Sequence, residues 1–196
     1  MSPRRLSKFV CATAIAVLPA LAEAHPGHGL GAELGVGFYA GLVHPWSGLD
    51  HLLAMVAVGM WAAQLGARMR WALPACFVSL MLVGANLGFI GMTLNAAEQG
   101  IAVSVLILGV VLASAKRMSL IVSMALTGCF ALFHGYAHGV AMPAQSSVLS
   151  YLFGFVLSTV GLHLIGLGIG HRLANRVVLR WAGAAIALSG AAMLVA

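Results

Sequence analysis

The sequence predicts an all-α fold, a polytopic transmembrane helix bundle of about six spans, and three observations carry that prediction. The 196 residues are 62% hydrophobic with a mean hydropathy of +1.04, well above the ~45–50% apolar content of ordinary soluble domains. The apolar residues fall in long runs, not in ten-residue stretches of alternating polarity. That selects helices over a closed barrel, the two structures that satisfy every backbone group in lipid. The basic residues sit in short clusters between those runs, so the formal charge of +6 reads as a topology signal and not as a surface for nucleic acid.

The chain begins with Arg4, Arg5 and Lys8, continues through an apolar stretch from Phe9 to Leu21, and reaches Ala22-Glu23-Ala24. These are the three parts of a secretory signal peptide with an A-x-A cleavage site. Residues 1–24 are therefore expected to be a cleavable signal, and 25–196 a single transmembrane domain. The stretch is shorter than the ~20 residues a span needs, which argues against an uncleaved first helix. A Gly-rich polar lead follows, HPGHGLGAELG, then an apolar piece from Val36 to Val43 that is too short to span. Pro45 suits the first helical position of a span from Trp46 to about Leu65. Further spans are expected over Trp71 to about Leu94, Gln99 to Ala115, Met118 to about Gly139, Val148 to about Gly170, and Val177 to Ala196.

Arg68/Arg70, Lys116/Arg117 and Arg172/Arg176/Arg180 occupy alternate connections, while the connections at Asn95–Glu98 and Met142–Ser147 carry no basic residue. Cytoplasmic loops hold the Lys/Arg excess, so the N-terminus is expected outside and Gly31–Val43 becomes an extracytoplasmic or re-entrant segment. Gly-x-x-x-Gly spacings at Gly37/Gly41, Gly84/Gly88 and Gly135/Gly139, with Gly166, Gly168 and Gly170, predict close helix contacts. Cys11 would leave with the signal. Cys76 and Cys129 read as small buried hydrophobes, and no disulfide framework is indicated.

Chemistry concentrates in two stretches. HPWSGLDH, His44 to His51, holds one of only four carboxylates in the chain. On a continuous helix His44 and His51 lie two turns apart on roughly one face, with Asp50 some 100° away. Asp50 then sits near the positive end of the helix dipole, where it either binds an ion or orients an imidazole. A capped helix start with an Asp–His pair is the simpler structural alternative, but intramembrane ionisable residues are costly and usually functional. In FHGYAHG, His134 and His138 are four apart, so both can face one ion. Gly135 and Gly139 remove bulk beside them, which would let a neighbouring helix approach, with the first span as the candidate. Two histidines donating to backbone carbonyls is the alternative here. His163, near the middle of the fifth span, is either a path residue or a packing histidine. His171 beside Arg172 reads as an interfacial polar residue. With cleavage after Ala24, His25 and His28 would lie at a free terminus able to capture a scarce ion. Met55 and Met142 read as core filling. Imidazole with carboxylate suits Ni, Co, Cu or Zn, and binding is expected to weaken as pH falls through roughly 6–7, because neutral imidazole is the ligand form.

These residues resemble the HupE/UreJ family of bacterial nickel and cobalt permeases. The pattern H-x5-D-H is met by His44, Asp50 and His51, and F-H-G-x-A-H-G-x-E is met by Phe133, His134, Gly135, Ala137, His138 and Gly139. The resemblance implies secondary uptake of Ni(II) or Co(II) across the inner membrane into the cytoplasm. Where the second pattern ends in Glu this chain has Ala141, which bears on the choice of metal and leaves Met142 and Glu98 as nearby substitutes. The resulting expectation is a permease without a P-loop and without a tightly bound cofactor, whose partners are the ion and the lipid bilayer; a homo-oligomer is compatible with it. His25 and His28 would concentrate the ion, His44, Asp50, His51, His134 and His138 would form the outer site, and His163 would relay inward. The alternatives are an intramembrane zinc-dependent hydrolase, which H-E-x-x-H would have marked, and a haem-binding electron carrier.

Overall fold

The computed structural model describes residues 30–173 and 176–196, with side chains described over 34–173 and 177–196. The expected signal peptide and the pair His25/His28 lie outside the described residues. Among those described, the chain forms seven α-helices and no strand: α1 (Leu30–Ser47), α2 (Leu49–Leu65), α3 (Met69–Phe89), α4 (Ala97–Ser114), α5 (Leu120–Val140), α6 (Val148–Arg172) and α7 (Arg176–Met193). Helices α3 to α6 are each long and apolar enough to cross a membrane, and α1 with α2 pass the same test together as a bent pair. The last apolar helix, Val177–Met193, is shorter. Four to five candidate spans thus stand against the six expected, and the difference lies in this last helix. Large apolar side chains such as Ile121, Leu149, Phe153 and Trp181 face outward, a surface that lipid solvates and water does not.

The entry to the bundle differs from the expectation at Pro45. This residue does not start a helix but lies in the last turn of α1, and the break comes three residues later at Gly48. There α1 and α2 bend by 80°. Gly48 is extended, with φ −96° and ψ 118°, and its carbonyl accepts the N–H of Leu52 at 3.0 Å to open α2. Ser47 Oγ donates to the His44 carbonyl at 2.8 Å, meeting one of the carbonyls that the end of α1 leaves free. Helix α1 continues past the short apolar piece because it packs on α6. A Cβ at Gly41 would overlap the Tyr151 carbonyl oxygen, and one at Gly154 the Phe38 carbonyl oxygen. Contacts of the whole helix override the local preference of one proline.

The same close approach recurs around the bundle. Gly84 on α3 lies against Leu132 of α5, while Gly135 and Gly139 on α5 lie against Met81 and Ala85 of α3. The neighbour admitted by the glycines of FHGYAHG is therefore α3, and not the first span. Helix α2 instead meets α6 through Gly59 and Gly166, and α4 meets α7 through Gly109 and Gly183. Small residues let these backbones touch, which is how helices associate where lipid removes the hydrophobic drive between them. Between the seams sits a core of Met55, Trp61, Phe77, Met81, Leu108, Tyr151 and Phe155. Met55 is core, as its sequence setting suggested. The cysteines depart from expectation: Cys76 is half-buried and Cys129 is exposed on the bundle surface, both as free thiols.

The basic connections gather at one end. Gln64, Lys116, Arg117, Gly170, Leu173 and Leu179 line one cavity of about 360 Å³, and Gln64 Nε2 donates to the Leu112 carbonyl at 3.3 Å. Arg180 Nε likewise donates to the Ala113 carbonyl at 3.0 Å, at the end of α4. His171 is exposed there. The start of α2 and the end of α5, which carry the histidine motifs, lie at the other end of their helices.

Candidate metal centre

The break at Gly48 builds the site. It turns α2 away from α1 so that His44, in the last turn of one helix, meets His51, in the first turn of the next, with ring centroids 5.5 Å apart. The two therefore meet across a corner and not along one helical face. Asp50 Oδ1 accepts from both the backbone N–H of His51 at 2.7 Å and its Nδ1 at 2.8 Å. A Cβ at Gly48 would stand 2.6 Å from that oxygen and 3.2 Å from the imidazole Nδ1, so the pairing needs glycine there. With Nδ1–H given to a carboxylate, Nε2 of His51 keeps its lone pair, and the carboxylate makes it a better ligand. The geometry is that of a carboxylate hydrogen-bonded to an imidazole, and Asp50 is not among the three residues whose ligand atoms gather.

Helix α5 supplies the other side. His138 packs its ring 4.9 Å from His44 and 4.8 Å from His51. It stacks on Phe155 at 4.8 Å and an interplanar angle of 8°. Tyr151 donates its hydroxyl to the His138 carbonyl at 2.9 Å, which satisfies a group near the end of α5 and ties α6 to the motif. One nitrogen from each of His44, His51 and His138 lies within 4.8 Å of the others. Nitrogens about 2.1 Å from a shared ion are at most about 4.2 Å apart, close to the spacing these three have.

His134 lies one turn deeper. It is fully buried, its ring is 4.9 Å from His51, and its Nε2 is 2.8 Å from Ser104 Oγ on α4. Phe77 of α3 then stands between His134, at 5.8 Å, and His163, at 5.1 Å. His163 is buried but outside the three-imidazole group. His51 Nε2, His134 Nδ1 and both nitrogens of His138 and His163 are buried without a hydrogen-bond partner. Leaving such groups unmet costs about 1–3 kcal/mol each. Histidines that served packing alone would donate to carbonyls, so this pattern fits a donor set for a soft-to-borderline divalent cation.

Other expected participants stand apart. Glu98 and Ala141 are exposed, in the first turn of α4 and at the end of α5, and Met142 packs against the core. Tyr136, the variable residue of FHGYAHG, accepts the Leu94 N–H at 3.1 Å and holds the α3–α4 connection. Sequence reasoning missed Ser104, Tyr151, Phe77 and Phe155, since none belongs to a motif and each reaches the histidines from another helix. It also missed Gly48 as the corner, although a glycine just before a Leu-Asp-His run is a legible break signal.

Several apolar helices converging on buried imidazoles, with nitrogens left without partners, make this a helical membrane protein with an interior histidine cluster. The chain belongs to the HupE/UreJ family: residues 13–193 match the family described as HupE / UreJ protein. It is 43% identical to Protein HupE of Rhizobium leguminosarum bv. viciae over 194 residues, which cover 97% of this chain and 99% of that protein. No solved structure matches the chain significantly.

Proposed function

We propose that the protein is a secondary permease that takes up a divalent transition-metal ion, Ni(II) first and Co(II) second, across the bacterial inner membrane. The observation that carries this reading is the meeting of His44, His51 and His138 within 4.8 Å, with buried imidazole nitrogens left for a ligand. Imidazole alone fits Ni, Co, Cu and Zn; the association of the family with nickel and cobalt transport narrows the choice. In this mechanism His25 and His28 capture the ion outside, and the three imidazoles bind it while Asp50 orients His51. His134 receives it next and His163 relays it inward. The proposed arrangement has six crossings, the mature N-terminus outside and the basic connections in the cytoplasm. An inside-negative potential supplies ~2.3 kcal/mol per charge per 100 mV, or about 4.6 kcal/mol for a divalent ion. That is enough to concentrate it without ATP.

Uptake of radioactive nickel by cells expressing the protein, in competition with Co, Cu and Zn, tests the proposal. Accumulation that Co(II) competes most strongly, and that Asp50→Ala abolishes, is the expected result. Unchanged accumulation in Asp50→Ala would refute the mechanism.

A further inference from the structure

We infer that Ser104 is a positioning residue of the ion path, its hydroxyl fixing His134 as the Nε2–H tautomer so that Nδ1 is the nitrogen offered to the ion. The inference rests on the function proposed above, but the hydrogen-bond geometry on which it is built does not. Ser104 Oγ lies 2.7 Å from the Ile101 carbonyl and 2.8 Å from His134 Nε2, and both side chains are fully buried. A hydroxyl has one proton, and a carbonyl can only accept. If the proton went to His134, two oxygens would face each other at 2.7 Å with nothing between them. The proton therefore goes to Ile101, an ordinary bond for a helical serine. The hydroxyl lone pair then accepts from Nε2–H, and the neutral ring keeps its lone pair on Nδ1, which is buried and unpaired. In this tautomer Nε2 carries a proton and takes none from Ser104, unlike the base of a hydrolytic Ser–His pair.

Two imidazoles of the path are thus fixed in opposite tautomers by unlike partners. Asp50 takes Nδ1–H of His51, and Ser104 takes Nε2–H of His134. An ionised acceptor binds the ring proton more strongly than a neutral hydroxyl and makes its imidazole the more basic ligand. His51 is then the stronger ligand, at the outer end, and His134 the weaker, one turn deeper. A path needs this order, since a site must bind well enough to load and weakly enough to release.

The test pairs a readout of the tautomer with one of transport. In nitrogen-15 NMR of histidine-labelled, metal-free protein, with the His134 signals assigned by their loss in His134→Gln, Nδ1 should be unprotonated in the wild type and should become mixed in Ser104→Ala. In cells with matched amounts of membrane protein, Ser104→Ala should raise the KM for Ni(II) uptake about tenfold. Ser104→Thr, which keeps the hydroxyl, should stay within about twofold of wild type by the same reasoning. A protonated Nδ1 in the wild type overturns the inference, as does a Ser104→Ala protein with unchanged KM. If wild-type protein carries no nickel, the proposed function falls, and the NMR result still decides the tautomer.

Discussion

Asp50 is the residue whose surroundings say most about the site. One of its oxygens meets two donors of its neighbour, His51, and in the proposed mechanism it acts through that imidazole. Replacing such a partner typically costs 10–100-fold in metal affinity. Asp50→Asn, which keeps an acceptor but no charge, is expected to weaken nickel binding less than Asp50→Ala when both are titrated on purified protein by calorimetry. Gly48→Ala should mimic the loss without replacing a histidine, because its Cβ would stand 2.6 Å from the carboxylate oxygen and 3.2 Å from His51 Nδ1, and the Asp50 side chain can swing aside. Nickel affinity should fall while the melting temperature holds. Tyr151→Phe should do the reverse: it removes the bond to the His138 carbonyl and costs about 1 kcal/mol of stability, read as a lower Tm in detergent. At this scale the histidine and Asp50 motifs were visible as short spacings in the sequence, while the corner at Gly48 that brings His44 to His51 was not. Nor were Ser104 and Tyr151, since their partners lie 30 and 13 residues away and nothing local marks them.

Among the elements, the α1–α2 corner and the glycine seams decide where the histidines stand. The spacing of Gly84/Gly88 and Gly135/Gly139 announced a close contact, but spacing shows only that a face is small and not which helix meets it. The partner proved to be α3 for the second pair. The corner was misplaced for a related reason. Pro45 looked like a start because a proline within a helix is costly, yet the packing of α1 on α6 carries the helix through it. Gly135→Val is expected to cost folded protein, since the side chain would enter the Met81 carbonyl of α3. Gly161→Ala, with open space around it, should be tolerated. Size-exclusion profiles of fluorescent fusions distinguish the two, and equal profiles would mean that the α3–α5 seam is looser than the structure has it.

For the molecule as a whole, the separation of charge from imidazole is the organising feature. Lys116, Arg117 and the end of α6 share one cavity at the basic end, while His44, His51 and His138 meet at the other. The fold class and this polarity follow from hydropathy and loop charge alone, because lipid and the positive-inside rule act on composition. The span count does not, since α7 is too short for length and hydropathy to decide it. Gln145→Cys should react with an impermeant thiol reagent from outside intact cells, and Lys116→Cys only after permeabilisation, both in a Cys76→Ser, Cys129→Ser background.

In the proposed path His44, His51 and His138 together hold the ion before it crosses. X-ray absorption of purified protein loaded with one equivalent of Ni(II) measures this directly. A first shell with the multiple-scattering signature of about three imidazoles at roughly 2.1 Å, the nitrogen distance used for such sites, is the predicted spectrum, falling to about two in His138→Gln. A shell of oxygens alone, or one that His138→Gln leaves unchanged, would contradict it.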